Sequence, residues 1–387
     1  MKSRIIVDKK TKVQINNEER LEFNKKYHRK FECMVNSCMN KPIDSHSISN
    51  SISIQSISEN DHVVGIKSYD DSNEQARKFR YEPISHNSAL VFKGFCSEHD
   101  TTLFKSIDTT EIRTTRDYLL MCYRALCYIK YNARIGSDKI AFRYKGVYKQ
   151  FNGTNDPALE PFYLEHDTIS DSADFFKELY DNYSEEDQES YNFSDYRFTQ
   201  CGCILHLRTL HYQIPVALNN WHSVITTSGK LSGVLLIVIP YKEMTQIILV
   251  QPTGLPEEQS SYLNSVLNND ILLLNLIEKS MSISENWVIK PSVIDKDEHI
   301  KEVLINDLYY RPFASRLFEP YDLSIFTELR ESLIESAQIP EWLLNQEKDK
   351  IRNIPVRDIE KLEQGFMEFI HEFSGNIFSI MARIKES

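Results

Sequence analysis

Two stretches decide how this chain is read: FECMVNSCMNKPIDSHSIS, Phe31–Ser49, and GFCSEHDTTLFK, Gly94–Lys105. Four residues lie between Cys33 and Cys38, and two between Cys96 and His99. Short Cys-x₂₋₄-Cys and Cys-x₂-His spacings let one turn of backbone offer two ligands to a tetrahedral ion. The two pairs are expected to be halves of one structural Zn²⁺ site made of Cys33, Cys38, Cys96 and His99. A set with His46 in place of His99 has the same ligand types. His99 is preferred because Cys96-x₂-His99 places both donors on one helical turn. The bland alternative is free thiols in a reducing compartment, with His99 on a helix surface.

Between the pairs, Ile48, Ile52 and Ile54, then Val63, Val64 and Ile66, flank the turn-forming run SENDH, Ser58–His62. This pattern predicts a β-hairpin. Residues 68–88 are polar and read as a loop. Ser97, Glu98 and Asp100 suit the first turn of a helix. Thr114 and Asp117 resemble a capping box that opens a long helix over 109–133, with Tyr118, Leu119, Cys122, Tyr123, Leu126 and Ile129 on its apolar face. Residues 170–190 are acidic and helical in pattern. Residues 195–252 are short β-branched runs in the order of an antiparallel meander. Helical periodicity returns from residue 256. The expected fold class is α+β. An N-terminal treble-clef ββα zinc finger with a basic lead-in, residues 1–108, precedes a larger mixed domain, 109–387, with an antiparallel sheet and several helices.

The chain has 387 residues, 41% of them hydrophobic, which is enough to bury a large core. Its most apolar run, GVLLIVIPYKEMTQIILVQ, is broken by Pro240, Lys242 and Glu243. It reads as two buried strands rather than a membrane span. The charged N-terminus lacks an apolar run, and the seven cysteines are an odd number. A cytoplasmic location with reduced thiols is expected, with no membrane association. A net charge of −11 argues against nucleic-acid binding by the whole surface. Residues 1–33 nevertheless hold ten Lys/Arg against five acids. This lead-in either meets phosphate or forms a solvated face. Phosphate loops, dinucleotide fingerprints and nucleophile elbows are absent. Cys201, Cys203, His206 and His211 read better as buried strand residues than as a second metal site. Trp221 is either a partner contact or a core anchor, and Cys122 and Cys127 are expected to pack.

The layout over residues 31–107 resembles the treble-clef proteins of the HNH nuclease superfamily. In that family a Cys pair precedes the strand bearing the first His, and the second pair opens a helix and is followed by Asn. The resemblance implies that His46, in DSHSIS, is the general base that deprotonates the attacking water. Asp100 stands at the family's Asn, and Lys105 falls near a final His or Lys. The pattern departs in three places. Ser45 replaces the acid or His that often precedes the catalytic His, although Asp44 shares a strand face with His46. His99 replaces the usual fourth Cys, and Asp100 replaces Asn. The implied function is a metal-dependent nuclease on DNA or RNA, in bacterial anti-phage defence. Zn²⁺ would be structural, and Mg²⁺ would be held by Asp44 or Asp100. The competing expectation is a non-catalytic zinc scaffold whose C-terminal domain recognises a protein, a small molecule or a second copy of the chain.

Overall fold

The run Leu231–Pro240 is buried at every position from Gly233 onward, and alternation explains why. Val234, Leu236 and Val238 point to one side of the strand and Leu235, Ile237 and Ile239 to the other, and each set enters a separate hydrophobic cluster. A strand that reads as continuously apolar is one covered on both faces. The computed structural model describes residues 31–71, 76–147, 160–183, 195–200, 203–310, 317–336, 339–362 and 364. The basic lead-in, residues 1–30, and Cys201 lie outside them.

Strands β1 (Asp44–His46) and β4 (Val91–Lys93) form a small antiparallel pair. The others are β2 (His62–Asp71), β3 (Ala76–Ser85), β5 (Asp195–Gln200), β6 (Cys203–Leu210), β7 (Val216–Ile225), β8 (Leu231–Pro240), β9 (Thr245–Pro252) and β10 (Trp287–Ile289). They make one eight-stranded sheet in the order β3-β2-β10-β7-β8-β9-β6-β5. The helices are α1 (Ser97–Leu103), α2 (Lys105–Thr109), α3 (Thr115–Val147), α4 (Glu160–Asn182), α5 (Glu257–Leu267), α6 (Asp270–Met281), α7 (Pro291–Ile294), α8 (Glu298–Tyr310), α9 (Thr327–Ser336) and α10 (Glu341–Arg352). The fold is α+β. Helices α3 and α4 cover one face of the sheet, where Leu119, Leu126, Ile169 and Phe176 meet Leu235, Ile237 and Ile248. Helices α5, α6, α8 and α9 supply the cluster on the other face. No helix among the described residues is long and apolar enough to cross a membrane.

The capping box forms as read: the Asp117 N–H donates to Thr114 Oγ1 at 3.1 Å, and the Thr114 N–H to Asp117 Oδ2 at 3.3 Å. Three expectations change. The segment after β1 is not the first limb of a hairpin. It contains a 3₁₀ turn, Ile54–Ile57, whose two isoleucines are three apart and both fully buried. Residues 68–88 are not a loop, because β3 runs through them along the outer edge of the sheet. Pro83, opposite Val64, is tolerated there because an edge strand can leave one N–H side unpaired. The meander holds for β7, β8 and β9, but β6 pairs with β9 instead of β7. Strands β2 and β3 belong to the first 108 residues yet extend the sheet built by the rest of the chain: Val288 pairs with Gly65.

Helices α6, α9 and α10 are joined by buried charges. Arg330 pairs with Glu278 and Glu347, and Lys350 Nζ lies 2.9 Å from Glu278 Oε2. Burial opposes the Glu278 charge. Arg330 and Lys350, with the Phe326 N–H, outweigh it and hold the carboxyl below its usual range.

Candidate metal centre

The Cys33–Cys38 loop is closed by its own backbone. The Cys33 N–H donates to the Asn40 carbonyl and the Cys38 N–H to the Val35 carbonyl, with Ser37 in the left-handed region at φ 65°. Two further bonds fasten it to the chain that enters α1. The Met34 N–H donates to the Gly94 carbonyl at 2.8 Å and the Ile43 N–H to the Phe95 carbonyl at 2.7 Å. Gly94 is required at this crossing, since a Cβ there would sit 2.2 Å from the Phe92 ring. Below, Phe95 packs edge-on against Phe92 and Phe104. The aromatic floor fixes where Cys96 leaves the strand and opens the helix.

These constraints bring four donors together. The ligand atoms of Cys33, Cys38, Cys96 and His99 all lie within 4.8 Å of one another. Cys33 Sγ is 3.3 Å and Cys96 Sγ 3.4 Å from His99 Nδ1, and Cys38 Sγ is 3.9 Å from Cys96 Sγ. A tetrahedral ion with bonds of ~2.3 Å to sulfur and ~2.0 Å to nitrogen would space its donors roughly 3.5–3.8 Å apart. The cluster fits such an ion, and three thiols with one imidazole could hold it. Burial pushes the Cys33 thiol up to about 11, against the pull of the Cys96 N–H, while the His99 N–H lowers Cys96. Binding an ion would therefore displace protons. Among the described residues, this is the one group of three or more such donors.

His46 stands outside the four. It closes β1 opposite Val91 and is partly buried. The nearby His86 backbone favours the protonated ring, and Nε2 is buried with no partner among the described residues. Burial first, and then the Arg124 cation, hold its pKa below the ordinary value; Asp108 and Asp100 act the other way. Asp100 Oδ1 is likewise buried without a partner. Asp44 is engaged elsewhere: it faces Lys93 across the strand pair, with 2.7 Å between Oδ1 and Nζ, and is largely exposed. Lys105 is exposed at the start of α2.

The remaining candidates are dispersed. His206 Nε2 lies 3.2 Å from Gln251 Nε2 inside the sheet, and His211 is exposed beyond β6. Cys122 and Cys127 are fully buried on α3, as expected. Trp221 packs on the sheet cluster over Gly233, which fits the core anchor. Sequence reading missed Arg124 and Asp108. The available signal was a lone cation inside the apolar run LLMCYRALCY, Leu119–Tyr128, because a charge in a buried helix demands a partner.

No protein-family model, no curated protein and no solved structure matches this chain.

Proposed function

We propose that this chain is an HNH-like, metal-dependent phosphodiesterase acting on DNA or RNA. Zn²⁺ on Cys33, Cys38, Cys96 and His99 would be structural, with His46 as the general base. One observation carries the reading: His46 is held toward its neutral form with Nε2 unbonded, and Asp100, one of the charges acting on that ring, also has an unbonded oxygen. Each buried polar atom without a partner costs about 1–3 kcal/mol, so leaving both unpaired supports a function for them. A neutral imidazole can take the proton of an attacking water. Asp100 offers the hard oxygen that Mg²⁺ prefers, the cation's other ligands being water and substrate phosphate. Bound there, Mg²⁺ would stabilise charge on the phosphate. Asp44, exposed and paired with Lys93, is the alternative hard-oxygen ligand. The family resemblance suggests bacterial anti-phage defence as the setting.

The test is His46→Ala, assayed for nicking of DNA and RNA with Mg²⁺ and Mn²⁺, beside metal content by mass spectrometry. Cleavage should disappear while the bound Zn²⁺ is unchanged. Cleavage that survives would overturn the assignment.

A second reading is favoured by a different observation: His46 Nε2 and Asp100 Oδ1 are both enclosed, and no third donor joins them among the described residues. On that reading the finger is a scaffold, and the sheet-containing remainder recognises a partner. A wild-type chain that keeps its metal but cuts no nucleic acid would select it.

A further inference from the structure

The sheet face under α3 and α4 is not completely filled. Between α4 and strands β7, β8 and β9 lies a cavity of about 330 Å³, with the exposed Asp171 at its rim. Protein interiors hold few voids larger than a water molecule. This one arises where small residues meet small residues. Thr168 and Ser172 line it from α4, one turn apart, and Gly233 lines it from β8. A Cβ at Gly233 would stand 2.1 Å from two atoms of the Trp221 ring. Ser223, two residues beyond Trp221, donates to Glu165 Oε1 at 2.6 Å and ties α4 to β7.

The lining has a defined chemistry. Leu126, Leu235 and Val250 are apolar, and Trp221 from the sheet and Phe175 from α4 add aromatic rings. The Trp221 ring anchors the sheet cluster, but its Nε1 is buried with no partner among the described residues. A buried indole N–H ordinarily has an acceptor. Thr168 Oγ1 and Ser172 Oγ each donate to a helix carbonyl at 2.8 Å, so their remaining capacity is to accept. An ionised Asp171 also only accepts. Among the described residues, no Lys, Arg or His lines the space. Its volume is at the low end of the ~300–1,000 Å³ of small-molecule sites, which suits one ring system with a sugar rather than a dinucleotide.

We propose that this cavity binds an unphosphorylated nucleoside. A ring nitrogen or carbonyl of the base would accept from Trp221 Nε1, and the base would pack against Trp221 and Phe175. Donors on the base and the sugar hydroxyls would meet Thr168, Ser172 and Asp171. A phosphate is disfavoured, because Asp171 stands at the rim and no lining cation answers it. The inference does not rest on the nuclease reading: neither His46 nor Asp100 nor any of the four metal donors lines the cavity.

The experiment titrates the full chain with adenosine, guanosine, cytidine and uridine, and with their monophosphates, by calorimetry and by NMR of the indole N–H signals. The Trp221 signal is assigned by its loss in Trp221→Phe. At least one nucleoside should bind with a Kd of ~1 mM or lower and shift the Trp221 signal, while those of Trp287 and Trp342 stay in place. Trp221→Phe keeps a ring and removes the donor, and should weaken binding roughly 3–10-fold. Ser172→Leu fills the space and should abolish binding. The matching monophosphate should bind several-fold more weakly, and Asp171→Asn should narrow that gap. Absence of nucleoside binding at this level overturns the proposal. So does binding untouched by Trp221→Phe, or a monophosphate that binds as tightly as its nucleoside. If Ser172→Leu fails to fold, Trp221→Phe and the indole signal decide. A chain that binds as stated but cuts no nucleic acid would sink the nuclease reading alone.

Discussion

Cys33 Sγ approaches His99 Nδ1 to 3.3 Å across 66 residues of sequence. Nothing covalent holds them, so a bound ion would add a strong link to the backbone hydrogen bonds between the N-terminal loop and the chain entering α1. Cys33→Ser and Cys96→Ser are each expected to lose the ion. His99→Cys, which keeps four soft donors, is expected to retain it. Loss should lower the melting temperature by ~5 °C or more, since ion binding adds to folding stability. Metal-to-protein ratio and thermal melts with and without chelator check this. A Cys33→Ser chain with full metal content would remove Cys33 from the site.

His222 predicts a pH dependence of stability. It is fully buried in β7, with Nε2 2.8 Å from Ser280 Oγ, and the Asn220 amide donates to the same oxygen at 2.7 Å. Burial, with Lys279 adding to it, pushes its pKa down to about 3. Between that value and the ordinary ~6.5, the unfolded chain takes up a proton that the folded chain refuses. Its contribution is full above ~6.5 and falls by about 1.4 kcal/mol per pH unit below it. Urea unfolding at pH 7, 6 and 5 should show this slope, and His222→Gln should flatten it.

The charges beneath α6, α9 and α10 should be intolerant of single changes. Arg330→Met leaves Glu278 and Glu347 buried with one fewer cation between them. A loss of about 3–5 kcal/mol is expected, because an uncompensated buried charge costs far more than the pair contributes. A shift of the urea midpoint near zero would show that water reaches the cluster.

Gly233 predicts an optical effect. A Cβ at that position would lie 2.1 Å from two atoms of the Trp221 ring. Gly233→Ala should push the indole off strand β8, change the tryptophan fluorescence maximum and cost ~1–3 kcal/mol through overpacking. An unchanged spectrum would mean that the strand itself yields.

What could be read without coordinates was local. Cys33-x₄-Cys38 and Cys96-x₂-His99 are short-range patterns, and their four donors do converge. Thr114 and Asp117 announced the start of α3, and the β-branched runs announced β7, β8 and β9. Partner choice was not legible. Ile48, Ile52 and Ile54 suggested a strand, but the spacing of Ile54 and Ile57 suits a turn, and only packing decides between them. The polar sequence of β3 hid a strand because an edge needs no apolar face on its solvent side. The His46 surroundings were hidden for a different reason: Arg124 and Asp108 come from α3 and α2, and the capping box at Thr114 and Asp117 marks where α3 starts, not what it packs against.

The pairing of Gly65 with Val288 sets the order in which the molecule can be finished during synthesis. Roughly 220 residues must follow β2 before its neighbour β10 exists, a delay of about 10–40 s at ~5–20 residues per second. Until then the β2–β3 hairpin is open along β2 as well as along β3, beside the Cys/His cluster whose residues have already been made. The late arrival of three residues, Trp287–Ile289, closes the sheet. A nascent chain stalled before residue 287 should therefore expose a β-edge that the full-length chain never shows.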